Sequence, residues 1–386
     1  MSKHMKLLIA LLAIFGVIAA ACGDDDGDGG GGGDAGDAGP IWVLLPDSAS
    51  SPRWEADDRR FFEASFDAAG LTEGEDYTIV NAEGDTAAQI AQAEQAVADS
   101  ASVVLMVNLD SASGATITDI AREGGAKVID YDRFTADGDG ADVYISFDNE
   151  AVGATMASVL EPEIDELGLD NPQVVLLNGS ESDNNAFLFR NGYLEVAQAR
   201  ADAGDWTIVA DQFVPDWDAE NAQTAMDQIL VGAGNNVDAV FAANDNIANA
   251  VINSLEAAGI DATTIPLSGQ DASVVAMQNI LLGKQSMSVY KPIEPLAGVA
   301  AQAALALRAG DSLDTVTGDF ETIAISVETG EPTDEPVGDG VVLYLALNPI
   351  AVTADNMADT VIADGFRTWD EICVDDIAAV CPEDAG

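Results

Sequence analysis

Short apolar runs return along this chain, and between them the apolar positions fall at helical spacing. Runs over 41–45, 77–81, 103–107, 127–131 and 143–147 predict strands; helical patterns over 54–69, 85–100 and up to Gly124 lie between them. Uninterrupted runs such as VVLMV are expected of strands buried on both faces of a parallel sheet. The alternating strand–helix order implies right-handed crossovers and a doubly wound sheet. At the VYISFDNEA stretch, 143–151, a strand ends in Phe147-Asp148-Asn149 and a new helix begins at Glu150. The same rhythm then resumes. Strands are expected over 174–178, 206–213, 239–243, 265–268 and 286–290, with late strands over 322–327 and 341–347. Helices are expected over 184–203, 219–231, 247–258, 272–283 and 293–308.

One lobe cannot use so many elements, and 386 residues exceed one average domain. The expected fold class is therefore α/β, with two doubly wound parallel-sheet lobes. The first lobe takes residues 41–147 and 291–347, the second 148–290 with 348–386 as its continuation and tail. Three hinge crossings join them, near Phe147-Asp148, near Tyr290-Lys291 and around 347–351.

The two ends read differently. Residues 1–21 have the form of an export signal, with Lys3 and Lys6 ahead of an apolar run over 7–21. Ala19-Ala20-Ala21-Cys22 resembles a bacterial lipobox, which makes Cys22 a candidate lipidation site; ordinary signal cleavage at small residues is the alternative. Residues 22–40 are mostly Gly, Asp and Ala and read as a self-repelling tether with nothing to bury. Cys373 and Cys381 are expected to form a disulfide closing a small tail loop. No histidine accompanies them, which weakens a metal site.

Charge narrows the partners. The chain carries 68 acidic and 14 basic residues, a formal net charge of −54. Nucleic acid and anionic membrane surfaces are disfavoured by electrostatics. The single histidine, His4, lies in the leader, so the exported part has no imidazole for a Ser-His-Asp triad or a His-rich zinc site. Asp137-Gly138-Asp139-Gly140 lacks the spacing of a calcium loop and reads as a turn.

Ligands of doubly wound sheets bind at the carboxyl ends of the strands. There the sequence places Arg53-Trp54, Asp132-Arg133, Asp183-Asn184-Asn185, Trp217, Asn244-Asp245, Gln270-Asp271 and Lys291. Acids, amides, cations and tryptophans suit a neutral polyhydroxylated ligand: charged groups make strong hydrogen bonds to hydroxyls, and an indole face packs on the C–H face of a sugar ring. Each has a plainer role open to it. Asp183, Asn184 and Asn244 could cap helices, Trp54 and Trp217 could be core, and Lys291-Pro292 could simply end a strand.

The motifs in this order resemble those of the D-xylose-binding periplasmic proteins of ABC transporters, within the type I ribose/galactose-binding superfamily. The resemblance spans 41–366 and rests on RW at Arg53-Trp54, YDR at 131–133, YISFDNE, the DNNA-LFR segment over 183–190, AND at 243–245, SGQDA at 268–272, VYKPI at 289–293 and DTVI-DGF at 359–366. It implies sugar contacts by Arg53, Trp54, Asp132, Arg133, Asp183, Asn185, Trp217, Asn244, Asp271 and Lys291, with Trp54 and Trp217 sandwiching the pyranose. It further implies an extracytoplasmic monomer without cofactor or metal, which captures a monosaccharide, D-xylose first, and delivers it to permease subunits. The alternatives are a binding protein for another pentose or hexose serving chemoreception, and a glycosidase using two of Asp132, Asp183 and Asp271.

Overall fold

The computed structural model describes residues 38–338 and 340–382, so the expected signal over 1–21 and Cys22 lie outside the described residues. Strands β1 (Ile41–Leu45), β2 (Tyr77–Asn81), β3 (Val103–Met106), β4 (Lys127–Tyr131) and β5 (Val143–Phe147) alternate with helices α1 (Arg59–Ala68), α2 (Thr86–Ala98) and α3 (Ser113–Glu123). Every residue of β1, β3 and β5 is buried, as the uninterrupted apolar runs require. Then follow α4 (Asn149–Glu166), β6 (Gln173–Asn178), α5 (Asn184–Ala203), β7 (Thr207–Phe213), α6 (Ala219–Ala233), β8 (Ala239–Ala242), α7 (Asp245–Ala257), α8 (Val274–Leu281) and β9 (Ser288–Tyr290). The chain closes with α9 (Ile293–Ala309), β10 (Glu321–Ser326), β11 (Val341–Leu347), β12 (Ile350–Val352) and α10 (Trp369–Ile372). Polar residues start four of the helices: Asp148, Asp183, Asp218 and Asn244 each accept a first-turn N–H of α4, α5, α6 and α7.

Two sheets result. The larger has the order β10-β11-β5-β4-β3-β1-β2, and the smaller has β7-β6-β8 with all pairs parallel. The chain leaves the larger sheet after Phe147, returns to it through α9, which packs on α1 and over β3, β4 and β5, and leaves again between β11 and β12. The Asp148 N–H donates to Leu347 O at 2.8 Å, tying the first crossing to the last.

Four local features depart from the expectation. Residues 265–268 form no strand; a single bridge joins Leu267 to Val240. Pro266 lacks an N–H, and the Ser268 hydroxyl fills in, accepting from Ala242 N and donating to Ala242 O, both at 3.0 Å. Strand β10 runs antiparallel to β11, so the larger sheet is not wholly parallel; a direct hairpin-like return, with no crossover helix, permits only that direction. The last crossing ends in β12, which pairs antiparallel with β9. The first helix opens with a π turn over Trp54–Asp58, a form common at functional sites.

Helices α4 and α5 approach unusually closely through Gly153 and Gly192. A Cβ on Gly153 would run into the Phe189 carbonyl, and one on Gly192 into that of Glu150. Because backbone is met on both sides, no side chain can swing away. Gly153→Ala should therefore destabilise the protein by about 1–3 kcal/mol through overpacking. The measurement is the urea midpoint at constant m-value; an unchanged midpoint would refute the close contact.

Candidate functional site

Loops at the carboxyl ends of strands from both sheets meet over one cavity. After β1, the chain passes Ser50 and Ser51 and enters the π turn behind Arg53. Arg53 is buried. Its Nε and Nη2 grip Asp58 at 2.9 and 2.8 Å, and its Nη1 donates to Asp132 Oδ2 at 2.9 Å. Trp54 donates through Nε1 to Ser50 Oγ at 3.2 Å, and its ring lies 4.2 Å from the Arg53 guanidinium.

At the end of β4 the backbone turns sharply. Asp132 has φ of +63°, and the Arg133 N–H donates back to Tyr131 O at 2.7 Å, a three-residue turn. Buried Asp130 holds the other side of this loop by accepting from Thr135 N and Thr135 Oγ1, each at 2.8 Å. The turn thereby aims Asp132 and Arg133 at the second lobe.

Residues beyond the first crossing answer from five places. Asp183 caps α5, lies 3.0 Å from Arg133 Nε and accepts from Trp217 Nε1 at 3.2 Å. Asn185 donates to Asp132 O at 2.9 Å. Trp217 follows Asp216, both with left-handed φ, and its indole fits only because position 179 is glycine: a Cβ there would overlap the ring. Asn244 caps α7 and also donates to Ser50 O at 3.2 Å. Asp271 accepts from Ser51 Oγ at 2.8 Å, and Lys291 Nζ lies 3.3 Å from Asp132 and 3.7 Å from Asp271.

All ten residues expected to touch the ligand line one cavity; of the other strand-end residues named from the sequence, Gln270 lines it too, and Asn184 and Asp245 do not. Capping and lining are not exclusive: Asp183 and Asn244 do both. The cavity adds Ser50, Ser51 and Phe189. The serines stand in the Ser-rich loop before Arg53. Phe189 gave the faintest signal, its i+4 spacing from Asn185 on α5.

The site balances opposite charges out of water. Burial alone would raise the Asp132 carboxyl, but Arg53, Lys291 and Arg133 overcome that and hold it at about 2. Asp58 and Asp183 move the other way, raised by burial against the pull of their arginines. Asp132 is thus a permanently ionised acceptor flanked by fixed donors, suited to ligand hydroxyls. Among the described residues, no group of His, Cys, Asp and Glu could hold a metal ion. Cys373 and Cys381 are joined in the structure with their Cα atoms 6.1 Å apart, far in sequence from these residues.

Comparison with known proteins gives a consistent answer. The periplasmic binding protein domain family matches residues 42–312. The D-xylose-binding periplasmic protein of Haemophilus influenzae is 35% identical over 332 residues, 85% of this chain and 91% of that protein. A multiple sugar-binding periplasmic protein of Azospirillum brasilense is 32% identical over 346 residues, covering 85% and 89%. Among solved structures, an ABC transporter solute binding protein from Clostridium phytofermentans with bound β-D-glucose has a TM-score of 0.73 at 24% identity, covering 86% of this chain and 99% of that one.

Asp130 lends itself to a pH test of the loop. Burial pushes its carboxyl from 3.8 up to about 7, against the Thr135 donors. The folded state therefore holds a proton that the unfolded chain has lost between those values, so this group's contribution to stability falls as pH rises through that window. Asp130→Asn carries no such proton. Relative to this variant, the parent protein should lose stability between pH 5 and pH 8, read from urea midpoints at both; parallel pH profiles would refute the assignment.

Proposed function

This chain belongs to the periplasmic binding protein family, and on that footing we propose that its cleft captures a monosaccharide, D-xylose first, for delivery to an ABC permease. It is a binding protein and not an enzyme. The observation that carries the ligand class is the cavity wall: carboxylates, guanidinium groups, an ammonium, amides and two tryptophans, drawn from both lobes onto one small void. Sugar hydroxyls donate to Asp132, Asp183 and Asp271 and accept from Arg53, Arg133, Lys291, Asn185 and Asn244. The indoles of Trp54 and Trp217 cover the C–H faces of the ring. Contacts from both lobes favour the closed form, which the permease reads. A pentose has about ten heavy atoms, so micromolar affinity needs roughly 0.8 kcal/mol per atom, within the range open to small ligands.

In this reading, the described parts of 41–147 with 291–347 form one lobe and those of 148–290 with 348–386 the other, the cleft lying between them. Xylose is favoured by the relative from Haemophilus influenzae. A broader pentose and hexose range is the second reading, favoured by the Azospirillum brasilense relative's multiple sugar binding. The protein acts as a monomer, held at the membrane through Cys22 and reaching out on its Gly- and Asp-rich tether.

Calorimetry with xylose, glucose, ribose and arabinose should give the strongest heat and tightest binding with xylose; no heat with any sugar would sink this reading. Asp271→Asn should weaken binding by about 10- to 100-fold, the range of a hydrogen bond to a charged group; unchanged affinity would take Asp271 out of the ligand contacts. Radioactive palmitate fed to expressing cells should label the protein and not its Cys22→Ser variant. Equal labelling would rule out the anchor.

A further inference from the structure

Arg367 lies outside the cavity wall, yet it joins two segments that build that wall. It is 9% exposed and follows the crossing out of β11. Its Nη1 and Nη2 grip Asp57 in a two-pronged pair, at 3.0 and 2.9 Å. Its Nε donates to Ala272 O at 2.9 Å. Asp57 sits on the π turn with Trp54 and Asp58, directly after Arg53. Ala272 follows Asp271, and both have positive φ, +47° and +95°, a turn that costs backbone energy and needs outside support. One guanidinium thus clamps the turn that presents Asp271 to the helical turn that presents Arg53 and Trp54.

The placement of Arg367 is itself fixed from the second lobe. Its N–H donates to Val361 O at 2.9 Å, and its guanidinium stacks 3.8 Å from the Phe366 ring. Phe366 packs against Tyr290, one residue before Lys291, at 4.9 Å. Immediately after it, Thr368 and Glu371 form a capping box that starts α10, which docks on α8 with Gln278 donating to Ile372 O at 3.0 Å. The Cys373–Cys381 loop closes the far end of this tail. Asp57 belongs to the opposite lobe, where Arg60 also holds it at 2.9 Å.

We propose that Arg367 and Asp57 form a latch between the lobes that sets the closing equilibrium, and through it ligand affinity, without touching the ligand. The proposal rests on the reading of the cavity as a two-lobe ligand site. Arg367 is a positioning residue. A buried, two-pronged guanidinium–carboxylate pair forms in one relative orientation only, so its free energy enters the closed form and is absent from the open one. A ligand that closes the lobes then gains by the same amount.

The test uses the mature protein, its Arg367→Gln and Asp57→Asn variants and the double variant, with small-angle scattering and calorimetry against the sugar that binds the parent. Each single change should open the unliganded ensemble and weaken binding by about tenfold, a typical coupling; the double variant should lose no more than either single one. Arg367→Lys, with one prong, should recover only part. A merely structural Arg367 would lower the melting point and leave the scattering curves and affinity alike; that outcome overturns the latch while the sugar reading stands. If no sugar binds the parent, the sugar reading falls, and the unliganded scattering still decides: a more open Arg367→Gln supports the latch, and superposable curves overturn it.

Discussion

The contact on which this molecule turns is the Asp132 carboxylate, held by Arg53 at 2.9 Å and Lys291 at 3.3 Å. None of the three could be buried alone, because an isolated charge out of water costs several kcal/mol. Together with Asp58, Asp183, Asp271 and Arg133 they make a near-balanced cluster, each charge needing the others. Arg53 comes from the loop after β1, Asp132 from β4 and Lys291 from the crossing after β9. The cluster is therefore possible only when the larger sheet, the hinge and the second lobe are all in place.

The backbone pays for that convergence in conformation. Asp132, Asp216, Trp217, Asp271 and Ala272 are non-glycine residues with positive φ, and all lie at or beside the cavity. Such strain persists only where surrounding contacts over-determine it. Those contacts are visible: Thr135 on Asp130, Ser146 and Tyr144 on Asp132 O at 2.8 and 3.0 Å, Arg367 on Ala272 O. Gly179 supplies the complementary device, removing a Cβ so that Trp217 can lie flat across the wall. Side chains on sheet-borne turns, each braced from behind, give the cleft wall a fixed shape.

Much of this was legible along the chain. The strand–helix rhythm depends on local periodicity, so the sheet strands and helices fell where the apolar runs put them. Site candidates were legible because a cation or tryptophan directly after an apolar run is conspicuous in a chain with 14 basic residues. Phe189 was not, since an apolar residue inside a helix carries the same pattern whether it faces a core or a cavity. The 265–268 run failed for a comparable reason: its residues suit a strand, and only the Pro266 gap in the ladder and the Ser268 substitute prevent one.

By itself, then, the sequence determined the α/β class, the order of elements and the polar residues set at strand ends, because these follow from interactions a few residues apart. Tertiary structure alone decided the partners. Arg53 meets Asp132 across 79 residues, Lys291 meets Asp132 across 159 and Arg367 meets Asp57 across 310. No local pattern specifies which carboxylate each cation finds among 68 acidic residues. That choice is made by the packing that buries both, since a buried charge is stable only beside the partner that the fold has carried to it.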